Sequence, residues 1–568
     1  MRIAANINQY AYVDYSVILC YNWYKVIAMI KRKLPIGGIQ TFSELRADYD
    51  VYVDKTMHIY EMASRYKTVF LSRPRRFGKS LLCSTIKSLF SNQKELFEGL
   101  AISKTGWEWK THPVIHLALG ASNFTENGVE NLIGTLNDQL DIVCNQYGVS
   151  LRKNGSIAGR FSRVIIELSQ KIGQVVVIID EYDNPLLSTI NQPELNTKLR
   201  EELKGFYSVI KQNEEYMRFA FITGVTKFAQ VSLFSGMNQA NDISMMEEYG
   251  DICGITQEEL ETFFAPEIDA YAAQHGGREQ YLEKLKEYYN GYYFTRKQLS
   301  VYNIYGILNH FDKSADFAPF WSASGAPSFL IKYLEMKEVN VVEIEEAEMK
   351  ACDFGDYRDN TITLFPLLYQ AGYLTIAGYD ERTGLYKLNY PNIEIRQSLA
   401  KFLSSNYSAA DERIKNSVSV RLVQSLLGGK PEDFFDLLKR YLHKVDYSLS
   451  GKITEYYFEF AVSNIINMLG LDCKNEVHTA NGRMDSVIFA GNYIYIFEFK
   501  VDEPVEDALW QIEDKDYASI YADSTAGGAA GGAAGGSGKK LVKVGIVFSR
   551  KQRNIIEWRV GDHTGERT

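Results

Sequence analysis

RPRRFGKS, at residues Arg73–Ser80, lies between an apolar run, Thr68–Ser72, and a helical pattern that begins at Leu81. A glycine-lysine-serine turn between a buried strand and a helix is the arrangement of a phosphate-binding loop. In such a loop the backbone N–H groups, together with those of the helix N-terminus, surround a phosphate. The stretch therefore predicts a nucleotide site at the carboxyl end of this strand.

The residues of this loop have distinct expected tasks. Lys79 is expected to reach the β and γ phosphate oxygens of ATP, and Ser80 to offer its hydroxyl to Mg²⁺. Arg73 occupies the place where the pattern G-x4-G-K-[ST] has its first glycine, so the loop must turn without that glycine. The alternative is a basic helix cap that binds no phosphate. The predicted nucleotide-binding residues of the loop are Arg75, Arg76, Gly78, Lys79 and Ser80.

An apolar strand that ends in two carboxylates, VVVIIDE at 175–181, completes the phosphate-site pattern. Asp180 is expected to hold Mg²⁺ together with Ser80, and Glu181 to orient and deprotonate the attacking water. A further strand-like run, Val114–Leu119, lies between the two motifs. It indicates the class of P-loop proteins that uses a catalytic glutamate.

Residues 34–250 alternate between strand-like and helical patterns, which predicts an α/β domain with a parallel sheet and helices on both faces. The strand-like run Phe219–Thr223 ends at Thr223, for which we expect contact with the γ-phosphate; a plain strand end is the alternative. From Thr256 to about Asp446 the pattern is mainly helical. This middle region is expected to be a lid or a connector.

A second group of carboxylates lies near the end of the chain. Glu498 and Lys500 are two positions apart on a strand-like run, so they project to the same side. An adjacent strand, Met484–Ala490, can bring Asp485 beside them. Two carboxylates bind Mg²⁺ through oxygen, and a lysine can position the water that attacks a phosphodiester. A surface charge pair on an amphipathic strand is the alternative.

The predicted roles at this second site fall into two groups. Asp485, Glu498 and Lys500 are expected to be catalytic, and the two carboxylates also bind the metal. Glu455 on a preceding helix and Gln511 on a following helix are expected to support them. Together these patterns predict a restriction-endonuclease-like α/β domain at the C-terminal end.

Composition limits the classes of function. The chain has 568 residues and a formal net charge of -9, so contact with nucleic acid must come from local patches. Six cysteines stand singly, without a CxxC pair, which argues against a disulfide framework or a zinc motif and favours a reducing cytoplasm. The apolar stretch near the N-terminus is interrupted by polar residues, so we expect no membrane span. Homo-oligomerisation is left open.

Four segments are expected along the chain. A Gly/Ala tract at 526–538 reads as a flexible loop, native or introduced. Residues 1–28 read as an upstream extension or as a short extra helix. The expected segments are an N-terminal extension at 1–33, a P-loop domain at 34–255, a helical region at 256–450 and a nuclease-like domain at 451–568.

Together these residues resemble the AAA-ATPase-like proteins that carry a C-terminal PD-(D/E)XK nuclease-superfamily domain. The resemblance runs from about Leu34 to the C-terminus. The form RPRRFGKS is specific to that family, so the resemblance implies that the absent glycine is a family trait. The motifs that carry the resemblance are Leu34–Gly37, Tyr52–Thr56, Arg73–Ser80, Ile179–Asp183, Tyr289–Tyr292, Gln370–Leu374 and Glu498–Lys500.

The resemblance implies an ATPase fused to a nuclease-fold module, with ATP and Mg²⁺ as ligands and DNA or RNA as partner of the C-terminal domain. Two functions remain open at this point. In the first, ATP hydrolysis is coupled to cleavage of nucleic acid. In the second, the nuclease fold is inactive and ATP switches its binding to nucleic acid or to a protein.

Overall fold

A computed structural model describes most of the chain, and two compact units are distinguished within it. The first unit comprises 1–335 and 348–387, and the second comprises 336–347 and 388–568. The described residues are 32–120, 122–151, 155–227, 240–297, 299–323, 330, 347–354, 364–406, 421–442, 471–479, 482–521, 539–552 and 554–561. The predictions for residues 1–31, for Glu455 and its helix, and for the Gly/Ala tract lie outside these residues.

Helices and strands alternate through the first two hundred described residues, as the sequence pattern predicts. The strands are β1 Thr68–Ser72, β2 Val114–Ala118, β3 Val175–Asp180, β4 Met217–Gly224, β5 Asn241–Asp242, β6 Tyr292–Tyr293, β7 Ser300–Val301, β8 Glu348–Lys350, β9 Thr375–Asp380, β10 Leu385–Asn389, β11 Asp472–Thr479, β12 Gly482–Ala490, β13 Tyr493–Val501, β14 Lys540–Ser549 and β15 Asn554–Val560. The α-helices are α1 Phe42–Asp48, α2 Thr56–Arg65, α3 Lys79–Phe90, α4 Gly128–Tyr147, α5 Ile157–Lys171, α6 Asn184–Ser188, α7 Pro193–Gln212, α8 Gln257–Phe263, α9 Ala265–Ala272, α10 Arg278–Tyr289, α11 Ile304–Asp312, α12 Phe320–Ala323, α13 Leu364–Ala371, α14 Ile393–Asn406, α15 Pro431–Leu442 and α16 Val505–Asp514.

The sheet of the first unit is parallel, with the strand order β2-β3-β4-β1-β5. Every residue of β1 and β3 is buried, as in parallel sheets covered on both faces. The expected α/β fold class is therefore confirmed. β4 separates the strand before the loop from the carboxylate strand, whereas β2, which lies between them in sequence, is at the outer side of β3.

The region that follows the parallel sheet is mainly helical but also contains strands. β6 and β7 form a short antiparallel pair, and β8, β10 and β9 form a second small sheet. The described residues of 256–335 and 348–387 belong to the same compact unit as the predicted phosphate-binding loop. Their core includes aromatic residues of α9 to α11 that pack against the start of the described chain near Leu34.

The second unit contains a five-stranded mixed sheet of order β11-β12-β13-β14-β15. β13 and β14 are parallel and are joined by a crossover that contains α16; the other pairs are antiparallel. Alternate residues of β13 face opposite sides. Its aromatic face packs against α15 and the helical residues 421–427, and its other face packs against α16. The sequence analysis did not identify β15, in which the charged residues Glu557 and Arg559 interrupt the apolar pattern.

In the described part of the chain, no helix is long and apolar enough to cross a membrane.

Candidate functional site

The loop Arg73–Gly78 turns at two positions between β1 and α3. Positive φ angles fall on Arg76, at 66°, and on Gly78, at 90°, and not on Arg73. Gly78 is the N-cap of α3 in the left-handed conformation, which a glycine adopts without steric cost. A glycine is therefore needed next to the lysine and is not needed at Arg73.

The side chain of Arg73 fixes the loop to the segment after β5. Arg73 is 2% exposed, and its guanidinium donates to the carbonyl oxygens of Ser72 at 2.9 Å, Ser244 at 2.8 Å and Tyr249 at 2.9 Å. The same group lies over the ring of Phe294, 4.2 Å from its centroid. The sequence analysis noted only the absence of a glycine at this position. The structure shows that Arg73, which replaces it, holds the loop in place.

Lys79 points back into its own loop. Its Nζ donates to the carbonyl oxygens of Arg73 at 2.9 Å and Pro74 at 2.8 Å, and the side chain is buried. Burial lowers the pKa of Lys79, and the nearby carboxylates of Asp180 and Glu181 act in the opposite direction. The ammonium group thus lies where the loop would surround a phosphate.

Asp180 and Glu181 end β3 at the carboxyl edge of the sheet. Glu181 has a positive φ of 53°, and its N–H donates to Asp180 Oδ1 at 2.9 Å. Burial, and then the charge of Asp180, raises the pKa of Glu181. A raised pKa brings a carboxylate closer to the range in which it works as a general base at neutral pH.

Gly120, which follows β2, leaves room for the Glu181 carboxylate. A Cβ atom at position 120 would lie 1.8 Å from Glu181 Oε2. Gly120 therefore determines where the carboxylate can rest, a task that no sequence motif indicated.

Thr223 lies at the end of β4 but is turned into the sheet. Its hydroxyl donates to the Leu71 carbonyl at 2.7 Å, and the residue is fully buried. Its contact with a γ-phosphate stays a prediction. Lys227, four residues later, pairs with Asp242, with 2.9 Å between Nζ and Oδ2.

Asp183 is a residue of this site whose task the sequence analysis missed. Its buried carboxylate accepts hydrogen bonds from the N–H of Val225 at 3.1 Å, and from the N–H of Thr226 at 2.7 Å and its hydroxyl at 2.5 Å. Burial raises the pKa of Asp183 in spite of these donors. The carboxylate ties the end of β3 to the loop after β4.

A cavity of about 540 Å³ lies beside the loop. Its wall combines Arg75 to Ser80 and Glu181 with the segments 37–40 and 51–53, near the start of the described chain, and with Tyr305 of α11. The guanidinium of Arg76 stacks over Tyr305, 3.8 Å from the ring centroid. The cavity has the size of a ligand site, in the range of roughly 300–1,000 Å³. Five predicted nucleotide-binding residues and Glu181 thus line one space.

The structure also brings together the three C-terminal residues predicted to be catalytic. Asp485 Oδ2 accepts the N–H of Phe499 at 2.7 Å, and Lys500 Nζ is 3.5 Å from Glu498 Oε1. Glu498 is fully buried, and its Oε2 has no hydrogen-bond partner in the described part of the chain. Burial, and then the charge of Asp485, raises the pKa of Glu498. A buried carboxylate with an unpartnered oxygen fits a cation site.

Helix α16 carries one residue predicted to support this site and pairs with basic residues of the last strands. Gln511 lies half-buried on α16, the helix that packs against β13 and β14. Two basic residues of the last strands pair with acids of the same helix: Lys543 Nζ lies 2.7 Å from Glu513, and Arg559 Nη1 lies 2.7 Å from Glu506.

Comparison with known proteins matches two ranges of the chain to described families. Residues 35–234 match the sequence model of a family described as "Predicted AAA-ATPase", and residues 453–558 match the PD-(D/E)XK nuclease superfamily. A relative, "Uncharacterized protein in vnfD 5'region" of Azotobacter chroococcum mcd 1, is 33% identical over 546 residues, which cover 93% of this chain and 98% of that protein. The chain belongs to the AAA-ATPase-like family with a C-terminal PD-(D/E)XK nuclease-superfamily domain.

The matched ranges of this AAA-ATPase-like protein contain the predicted site residues. Residues 35–234 include the loop, Asp180, Glu181 and Thr223, and 453–558 include Glu455, Asp485, Glu498, Lys500 and Gln511. The anchors of Arg73, at Ser244 and Tyr249, lie beyond the first range. The AAA-ATPase-like domain is therefore held in shape by residues that follow its family match.

Proposed function

We propose that the protein is a Mg²⁺-dependent ATPase whose C-terminal domain hydrolyses phosphodiester bonds of DNA or RNA. The ATPase part rests on one observation: Lys79, Ser80 and Glu181 line a single cavity at the carboxyl edge of a parallel sheet. This combines a cation, a hydroxyl ligand and a carboxylate base at one place.

The groups at this edge fit ATP and Mg²⁺ by their chemistry. Ser80 and Asp180 supply the hard oxygen ligands that Mg²⁺ prefers. Bound Mg²⁺ would neutralise charge on the phosphates. Lys79 would exchange its two loop carbonyls for phosphate oxygens, and Glu181 would take a proton from the attacking water. Arg75 and Arg76 add positive charge at the mouth of the cavity.

The nuclease part is supported by the arrangement of Asp485, Glu498 and Lys500. The unpartnered oxygen of Glu498 and the carboxylate of Asp485 would hold Mg²⁺, which would polarise the scissile phosphate. Lys500, whose amine is 3.5 Å from Glu498, would orient the attacking water. The raised pKa of Glu498 predicts that protons compete with the cation for this site.

ATP turnover tests the first site. Lys79→Ala and Glu181→Gln are each expected to abolish turnover, and Glu181→Gln is expected to retain ATP binding because the carboxylate acts in the chemical step. Glu194→Gln, at the exposed start of α7, is the control. Turnover that survives both site substitutions would refute the assignment of ATP hydrolysis to Lys79 and Glu181.

Nicking of supercoiled plasmid and of labelled RNA, with Mg²⁺ or Mn²⁺, tests the second site. Glu498→Gln is expected to abolish cleavage. The control is the same substitution at an exposed glutamate of β15, Glu557→Gln, which is expected to leave cleavage unchanged. Loss of cleavage in Lys79→Ala would show that the two activities are coupled. ATP turnover without cleavage by the wild type would instead support a nucleotide-controlled binding switch.

A further inference from the structure

Three potential metal ligands converge beneath the phosphate-binding loop. The ligand atoms of Cys83, His116 and Asp180 all lie within 4.8 Å of one another. No other such group of three occurs in the described residues. The pairing of β2 with β3 explains why two of these ligands are close together. His116 pairs with Ile178 and Ala118 with Asp180, so His116 and Asp180 project to the same face of the sheet.

The cluster lies in an enclosed part of the domain. Cys83 is a free thiol with no exposed surface, and Asp180 is 4% exposed. The Nε2 atom of His116 is buried and has no hydrogen-bond partner in the part of the chain that the structure describes. A buried polar atom without a partner is uncommon in native proteins and calls for an explanation, such as an ion.

The type of ligand selects the type of metal. Thiolate and imidazole are preferred by zinc and similar divalent transition metals, whereas Mg²⁺ prefers oxygen. Three protein ligands also leave a fourth position open, which distinguishes the cluster from a closed structural zinc site with four protein ligands.

We propose that Cys83, His116 and Asp180 form a binding site for Zn²⁺ or a chemically similar divalent metal. Zn²⁺ at this site engages Asp180, the carboxylate assigned above to Mg²⁺, so the two metals exclude each other. The proposal of Zn²⁺ binding rests only on the geometry of the cluster. Inhibition of the ATPase by Zn²⁺ rests in addition on the proposed function.

Cobalt reports directly on the proposed ligands. Co²⁺ is titrated into the full-length, reduced, metal-free protein, and Zn²⁺ then displaces it. We expect one equivalent of Co²⁺ with a thiolate-to-cobalt charge-transfer band in the near ultraviolet. The band should vanish in Cys83→Ser and persist in Cys144→Ser, a buried free thiol of the same unit.

A second substitution tests the site independently, in case Cys83→Ser does not fold. His116→Gln should weaken Zn²⁺ binding by at least about tenfold, since even indirect ligand supports change metal affinity by that factor. His112→Gln, two residues before β2, should leave the Zn²⁺ affinity unchanged, and thermal unfolding checks that each variant is folded. A charge-transfer band in Cys83→Ser, or wild-type Zn²⁺ affinity in His116→Gln, would overturn the site.

The shared carboxylate is tested by competition. Raising Mg²⁺ in the presence of ATP should weaken the apparent affinity for Zn²⁺, and Zn²⁺ should inhibit turnover by the wild type and not by Cys83→Ser. Zn²⁺ binding that is indifferent to Mg²⁺ and ATP would overturn the sharing of Asp180. An absence of ATP turnover would count against the proposed function alone, because the cobalt band reports the site without it.

Discussion

Gly120→Ala offers a way to move the carboxylate of Glu181, the proposed general base, without altering its chemistry. The added Cβ would lie 1.8 Å from Glu181 Oε2, and ordinary van der Waals contact begins at 3.4 Å, so the carboxylate must retreat by about 1.6 Å. Misplacing a catalytic group by about 1 Å costs about 100-fold in rate. We therefore expect kcat to fall by at least about 100-fold, or about 2.7 kcal/mol in activation free energy.

The fall should appear in kcat and not in binding. The colliding atoms are the end of a flexible side chain, so the fold should accommodate the methyl group, and the Kd for ATP should stay near the wild-type value. Steady-state ATP turnover and equilibrium binding of ATP measure the two quantities. Gly134→Ala, where the added Cβ has no atom within 4 Å, is the matched control. Wild-type kcat in Gly120→Ala would refute the assignment of Glu181 as the base in its observed position.

Three further substitutions test the framework around the sites. Arg73→Gly, which introduces the first glycine of the G-x4-G-K-[ST] pattern, should lower stability by about 3 kcal/mol or more, because buried carbonyls lose a charged donor. Thermal unfolding measures this loss. Arg76→Gly, at a position with positive φ, is the control and should cost little stability. Burial lowers the pKa of His310 to about 4, so the unfolded chain binds the proton first as the pH falls. The wild type should therefore lose about 3 kcal/mol of stability between about pH 6.5 and pH 4. His310→Gln should flatten this dependence in thermal unfolding at a series of pH values, and an unchanged slope would contradict the prediction. Asp183→Ala should destabilise the folded protein by about 3 kcal/mol, since two buried N–H groups and a hydroxyl lose their acceptor. Asp183→Asn, which keeps one acceptor oxygen, should lose less stability. Equal melting temperatures for the two variants would argue against the hydrogen-bond explanation.

The sequence predicted those parts of the fold that depend on local pattern. β3 begins at the predicted Val175 and ends at Asp180, because a short run of β-branched residues favours a strand. The loop was predicted from a turn, a lysine and a hydroxyl. β15 was missed because its charged residues broke the apolar pattern, although its buried residue Ile555 packs on the sheet core.

Long-range contacts were beyond the reach of such patterns. Nothing local in the sequence shows that Arg73 bonds to a carbonyl 171 residues away, at Ser244. The approach of Gly120 to Glu181 and the clamp made by Asp183 likewise depend on which strands become neighbours. Thr223 was chosen for its place at a strand end, and strand pairing then turned its hydroxyl towards Leu71.

At the proposed ATP site, the two hydrogen bonds that Lys79 donates within its loop would make nucleotide binding an exchange. Phosphate oxygens must displace the carbonyls of Arg73 and Pro74, each hydrogen bond to a charged group being worth about 1.5–3 kcal/mol. Measured affinity for ATP should therefore understate the strength of the lysine-phosphate contact. The same bonds shape the loop before ATP arrives, which reduces the ordering that binding requires. Removal of the lysine consequently affects the nucleotide-free loop as well as the ATP complex, and the isosteric change Glu181→Gln is the cleaner probe of chemistry.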